Sequence, residues 1–256
     1  MPITPPPDSR EQRLRVINLI LGVLHGASAA AMLALSNDFS LPVTGSFLDG
    51  PPGDGPGVND TLFDLPLGPA VATFMLLSSV FHLLVASPWG SPRYLRELRA
   101  GRNRFRWVEY SLSASLMVVL IAMLTGVSDV VALVALFGVN ASMILFGWLM
   151  ETVNPPDRDP DWTPFWFGCV AGVVPWLAIA IYLWSPGSSD EPPAFVYGIF
   201  VSLFVFFNSF AINQWLQYRK VGRWSDYYVG ERTYMGLSLV AKSLLGWQVY
   251  ANTLIG

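Results

Sequence analysis

Apolar residues in this chain do not alternate with polar ones; they gather into seven runs separated by polar stretches. The runs are Leu14–Leu35, Leu67–Ser87, Phe105–Thr125, Val130–Met150, Phe165–Trp184, Phe195–Trp215 and Tyr228–Leu254. Each is rich in Leu, Val, Ala and Phe, and each has about the 20 residues that a helix needs to cross a bilayer core. The pattern predicts seven membrane-spanning helices. Trp89, Trp107, Trp162, Trp184, Trp224 and Tyr227 stand near run ends, as an interfacial belt requires. Only Gly126-Val127-Ser128-Asp129 separates the third run from the fourth, and Gly with Asp favours a tight turn over one continuous helix.

The longest connection runs from Ser36 to about Pro66 and contains Gly50-Pro51-Pro52-Gly53-Asp54-Gly55-Pro56-Gly57. Helix–helix loops usually take about 2–8 residues, so this one either folds on itself or stays disordered. Its β-like pieces, Ser40–Leu48 and Val58–Phe63, predict a small hairpin. No internal repeat or second domain is visible, so residues 1–256 read as one all-α membrane domain with a short N-terminal segment, 1–13.

Composition agrees. The chain has 256 residues, 53% hydrophobic and only 13% charged, where soluble domains carry about 25% charged residues. Mean hydropathy is +0.46. A single cysteine, Cys169, excludes an internal disulfide and any cysteine-based zinc site. A net charge of -3 gives no sign of a nucleic-acid partner. The N-terminus has a basic stretch, an apolar run and Ala27-Ser28-Ala29, as a secretory signal would. The apolar run continues to Leu35, however, which suits an uncleaved span.

Charge orients the spans. Arg10, Arg13 and Arg15 precede the first run, and Arg93, Arg96, Arg99, Arg102, Arg104 and Arg106 lie between the second and third. Arg158 follows the fourth; Arg219, Lys220 and Arg223 follow the sixth. The alternate connections hold only acids: Asp38, Asp49, Asp54, Asp60 and Asp64, then Asp129, then Asp190 and Glu191. Positive charge stays inside, so the expected N-terminus is cytoplasmic and the C-terminus outside, in a multi-pass cell-membrane protein.

Ionisable residues at membrane depth are rare and mark function. Lys242 lies in Leu237-Ser238-Leu239-Val240-Ala241-Lys242-Ser243, eleven residues beyond Glu231 and so roughly 16 Å along the helix from it. One reading is a structural pair with a carboxylate. The sharper reading is a desolvated lysine held for Schiff-base chemistry with a carbonyl compound. Glu109 is the acid inside the third run, with Ser113 one turn on and Met117 a turn beyond; Ser238 is one turn before Lys242. Because Glu109 follows Arg106 closely it looks shallower than Lys242, and a helix starting near Arg99 would relieve the mismatch. Glu151 looks cytoplasmic. The two histidines, His25 and His82, fall within the first and second runs. They read either as buried neutral rings or as a proton-accepting cluster near Glu109; a zinc site with Glu109 lacks any motif spacing.

Seven spans, a lysine in the last and a carboxylate in the third resemble a retinal-binding rhodopsin. Three features narrow the likeness: Ser238 stands where pumps usually carry an aspartate, Glu109 is the lone acid of its span, and the N-terminus faces inward. Together with Trp107-Val108-Glu109-Tyr110 and the two histidines, these make the whole chain similar to the heliorhodopsins. The resemblance implies all-trans retinal on Lys242 as a protonated Schiff base, Glu109 as sole counterion, and Ser238 and Ser113 hydrogen-bonded nearby. It implies that His25 and His82 belong to a proton-accepting polar cluster, and that Tyr110, Met117, Asn140, Met143, Trp166, Phe207, Gln214 and Trp247 line the pocket. It further implies a homodimer with a small sheet in the first outside loop, here 36–66.

The outer half holds no obvious acid at membrane depth, so the expected activity is slow light sensing or signalling without net pumping, through a partner yet to be identified. A light-driven or light-gated proton transporter or channel of the same fold is the alternative. A seven-helix metal-dependent hydrolase using His25, His82 and Glu109 is a third reading, and an enzyme is not expected.

Overall fold

Asp8 starts the first helix by satisfying the orphan amides of its first turn. Its carboxylate accepts from the Arg10 and Glu11 N–H groups while the Glu11 carboxylate accepts from the Asp8 N–H, a reciprocal capping box. The structure, a computed structural model, describes residues 7–53, 57–156, 158–184 and 192–254. Asp54, Asp190 and Glu191, three of the acids assigned to outer connections, lie outside the described residues, as do Gly55, Pro56 and the first six residues.

The elements in order are α1 (Ser9–Leu35), β1 (Ser40–Phe47), β2 (Val58–Pro66), α2 (Leu67–Ala86), α3 (Ser91–Arg99), α4 (Arg104–Leu124), α5 (Val130–Val153), α6 (Thr163–Leu183), α7 (Ala194–Tyr218) and α8 (Tyr227–Val249). Each of the seven apolar runs therefore forms a long helix. Six of these, α1, α2, α4, α5, α6 and α7, are long and apolar enough to cross a membrane. The eighth helix is as long but less apolar, because it carries Glu231, Arg232 and Lys242.

Local chemistry sets the breaks. Gly126 at φ +104° turns the chain between α4 and α5, and the Asp129 carboxylate caps α5 through the Val131 and Ala132 amides, so the two helices are separate as expected. Gly101 at φ +70° likewise separates α3 from α4, and the Asn103 side chain caps α4 at the Arg106 amide. The expectation of a helix running on from near Arg99 is therefore wrong: α3 ends at Arg99 and α4 starts afresh at Arg104.

The expected hairpin is present: β1 and β2 pair antiparallel, with a bulge at Val43/Thr44. It is tied to the helices at one end of the bundle. The Thr44 N–H donates to the Ser128 carbonyl at 2.9 Å, and the two hydroxyls meet at 2.9 Å. This hairpin end holds the α4–α5 turn; the opposite, arginine-rich end holds α3 and the starts of α1, α4 and α8. Packing is inverted relative to a soluble protein. Val16, Leu19 and Val23 of α1 and Val170, Val173 and Ile181 of α6 are exposed, whereas Asn18, Glu109, Asn140 and Lys242 are buried.

Candidate functional site

Side chains on a helix lean toward its N-terminus, and the Lys242 chain does so, running back along α8. Its Nζ donates to Ser238 Oγ at 2.8 Å and to Glu109 Oε1 at 2.9 Å, and it sits 4.9 Å from the centre of the Tyr110 ring. The apparent mismatch in depth between Glu109 and Lys242 thus closes without any lengthening of α4. Both partners are almost fully buried. A buried ammonium and carboxylate persist only when paired and hydrogen-bonded.

The second helix adds a residue that the sequence reading missed. Ser78 donates to the same Glu109 Oε1 at 2.6 Å. The available signal was spacing: Ser78 lies one turn before His82 on one face of α2. Ser113 is fully buried one turn beyond Glu109 on the same face of α4.

On the α5–α7 side of Lys242 lies a cavity of about 540 Å³. Its walls are mainly apolar and aromatic, a volume and character usual for small-molecule sites. Of the residues named from sequence, Tyr110, Met117, Met143, Phe207 and Gln214 line it, with Ser238 and Lys242 at its polar end. Trp176, Phe200 and Phe204 line it too and were not foreseen; the Trp176 ring packs edge-on against Phe200, Phe204 and Phe207. Room is kept by glycine. A Cβ on Gly172 would stand 2.7 Å from the Met143 sulfur.

Three expected lining residues lie elsewhere. Asn140 is buried but turns to α4, donating to Ser115 Oγ at 3.0 Å. Trp166 is 60% exposed on the outer face of α6. Trp247 is 41% exposed and packs on Tyr250. A run of apolar residues does not say which face of its helix turns inward, and in a membrane both faces are apolar.

His25 and His82 stack nearly parallel, 5.6 Å between centroids, and His82 Nδ1 lies 2.7 Å from Asn18 Oδ1. Among the described residues no group of three or more His, Cys, Asp and Glu is placed to hold a metal ion.

Arg106 and Glu151, which stand at the ends of their apolar runs, are both buried. Arg106, read as part of a basic loop, reaches into the bundle and pairs with both Glu151 and Glu231. Glu151 also accepts from Trp107 Nε1 at 2.6 Å and from the Asn103 N–H at 2.8 Å. Arg106 sits on the first turn of α4, so its side chain leans back along the inner face.

A buried lysine, paired with one carboxylate, stands at the polar end of a mainly apolar and aromatic cavity. The heliorhodopsin family model matches residues 14–254, nearly the whole sequence. The chain belongs to the heliorhodopsin family. Among curated proteins none matches it in sequence. Solved structures give the fold. A light-driven proton pump from Leptosphaeria maculans superposes with a TM-score of 0.64 at 13% identity, covering 98% of each chain. The light-driven proton pump of Coccomyxa subellipsoidea gives 0.64 at 15% identity, covering 96% of this chain and 97% of the other. These likenesses establish a rhodopsin-like bundle for this heliorhodopsin-family chain.

Proposed function

We propose that this protein is a membrane photoreceptor that carries all-trans retinal on Lys242 as a protonated Schiff base and signals without net ion pumping. The observation that carries the reading is the Lys242 amine at the end of the 540 Å³ aromatic cavity, 2.9 Å from the Glu109 carboxylate. The donor set fits the group: an amine to bind the aldehyde, an aromatic slot for the polyene, and one anion for the resulting cation. Retinal, when bound, supplies light absorption and an isomerisation about a double bond.

The protein's own residues do the rest. Glu109 balances the charge at the Lys242 nitrogen, Ser78 and Ser238 hold the two groups in register, and Trp176 with Phe207 confines the cavity. Movement at the nitrogen changes its distance from Glu109, and with it the hold on the proton. His25 and His82, next to this pair, are the proton-accepting cluster.

Absence of pumping is supported by where the acids lie. Among the described residues the buried carboxylates other than Glu109 are Glu11, Glu97, Glu151 and Glu231, all toward the arginine-rich end. A pump needs relay groups on both sides of its switch, and the hairpin side has none among these. We take α8 as the seventh span, the arginine-rich end as cytoplasmic and the hairpin as outside, on the charge asymmetry of the connections. We also take the working unit as a homodimer, because Phe47, Val58, Leu62 and Phe63 leave an apolar face on the hairpin that a second copy would cover.

The test is the visible spectrum of protein purified with all-trans retinal, beside Lys242→Ala. A visible band that the substitution abolishes is expected; a folded wild type with no band would overturn the reading. Sustained light-driven acidification or alkalinisation of a cell suspension would replace the sensor with a pump.

A further inference from the structure

The Lys242–Glu109 pair is not the only buried ion cluster. Arg106, Glu151 and Glu231 meet with side chains 4%, 2% and 2% exposed. One guanidinium faces two carboxylates, which leaves a surplus negative charge sealed from water if both are ionised. Such a charge is costly to bury, and a shared proton removes it.

The hydrogen bonds say which acid takes the proton. Glu151 is surrounded by donors fixed in place: Arg106, the Trp107 indole N–H, the Asn103 backbone N–H, and the Tyr227 hydroxyl at 3.2 Å. The three N–H groups among them can only donate and so favour an anion, and Glu231 has one fewer of that kind. Glu231 has Arg106 and the Asn103 amide at 2.6 Å, but its third neighbour is the Tyr94 hydroxyl at 3.4 Å. A tyrosine hydroxyl can accept as well as donate, so it tolerates a protonated carboxyl.

This second site also reaches the first. A small cavity of about 30 Å³ is lined by Glu109 and His82 on one side and by Arg106, Tyr94 and Glu231 on the other. That space has room for a water with several polar partners. A direct chain runs alongside, from His82 to Asn18 at 2.7 Å and from Asn18 to Tyr94 at 3.3 Å.

We propose that Arg106, Glu151 and Glu231 form a second proton-holding site, with the proton on Glu231, coupled to the Lys242–Glu109 pair through the Tyr94–Asn18–His82 chain and the adjoining cavity. The proton-holding half stands on the cluster alone; the coupling half rests on the photoreceptor reading. The groups facing Glu231 are Arg106 and Asn103 of the α4 start, Tyr94 of α3 and Glu151 of α5, with His82 and Glu109 across the cavity.

Infrared spectra of the retinal-free protein test the first half without any chromophore. A carboxylic C=O band that shifts in heavy water should vanish in Glu231→Gln and persist in Glu151→Gln. Tyr94→Phe, which removes only one hydroxyl, should shift that band and so guards against a Glu231→Gln protein that fails to fold. A band that survives unshifted in both Glu231→Gln and Tyr94→Phe, or no such band in wild type, overturns the proposal. The second half is read in the pigment, where light should alter the Glu231 band. A pigment whose light-minus-dark spectrum shows no change there overturns the coupling, while failure to form pigment at all counts against the photoreceptor reading and leaves the retinal-free result standing.

Discussion

Ser78 donates a hydrogen bond to Glu109 Oε1, the same oxygen that accepts from the Lys242 ammonium, so one carboxylate oxygen joins α2, α4 and α8. Hydrogen bonds to charged groups contribute about 1.5–3 kcal/mol. Ser78→Ala should lower the unfolding free energy by about that amount, measured by denaturant titration in micelles. Ser142→Ala is the control: it removes a hydroxyl that only bonds back to Gly138 on an exposed face, and should cost about 0.5 kcal/mol or less. Equal effects from the two would remove Ser78 from the site.

Glu109→Gln tests the ion pair itself. Breaking a buried pair by removing one partner costs about 3–5 kcal/mol, because the other charge is left uncompensated. The variant should be markedly less stable than Ser78→Ala, and Glu109→Asp should recover part of the loss. In the pigment, removing an anion beside the positive nitrogen destabilises the ground state, where the positive charge sits closest to it. The visible band should therefore move to longer wavelength in Glu109→Gln, and an unmoved band would argue for another counterion.

Much of the site is legible in the sequence, for a physical reason. A lysine inside Leu239-Val240-Ala241-Lys242 has no cheap surroundings in a membrane, so it announces itself and its carboxylate, and the structure joins them at 2.9 Å. The hairpin is legible from β-like pieces flanking a Gly/Pro turn. What escapes is facing. Trp166 and Trp247 are apolar residues on apolar helices, and nothing in the sequence distinguishes lipid from cavity. Arg106 and Glu151 sit at run ends, where snorkelling to water is the ordinary outcome. Their clustering with Glu231 is a three-helix event, joining α4, α5 and α8, that no single run reveals.

Gly147 is required by a neighbour rather than by its own backbone. A Cβ there would run into the Trp107 ring, whose indole N–H holds Glu151. Gly147→Ala should displace the indole and cost about 1–3 kcal/mol, as overpacking does. Gly138 lies on the same helix with nothing within 4 Å of its Cβ position. Gly138→Ala should be neutral or stabilising by up to about 1 kcal/mol. Trp107 fluorescence is one of ten tryptophan signals, so the Trp107→Phe background identifies the change: the Gly147→Ala penalty should shrink there.

Orientation can be read with the chain's own single thiol removed. In a Cys169→Ser background, Ser46→Cys places a thiol on exposed β1 and Ser225→Cys places one on the exposed connection between α7 and α8, at the opposite end of the bundle. Neither serine is buried, and neither touches the cavity. The connections at the Ser225 end carry the arginines, and positive charge is retained on the cytoplasmic side. A membrane-impermeant maleimide should label Ser46→Cys in intact cells and Ser225→Cys only after lysis. The reverse pattern would put the hairpin inside, and the Arg106–Glu151–Glu231 cluster would then face the exterior rather than the cytoplasm.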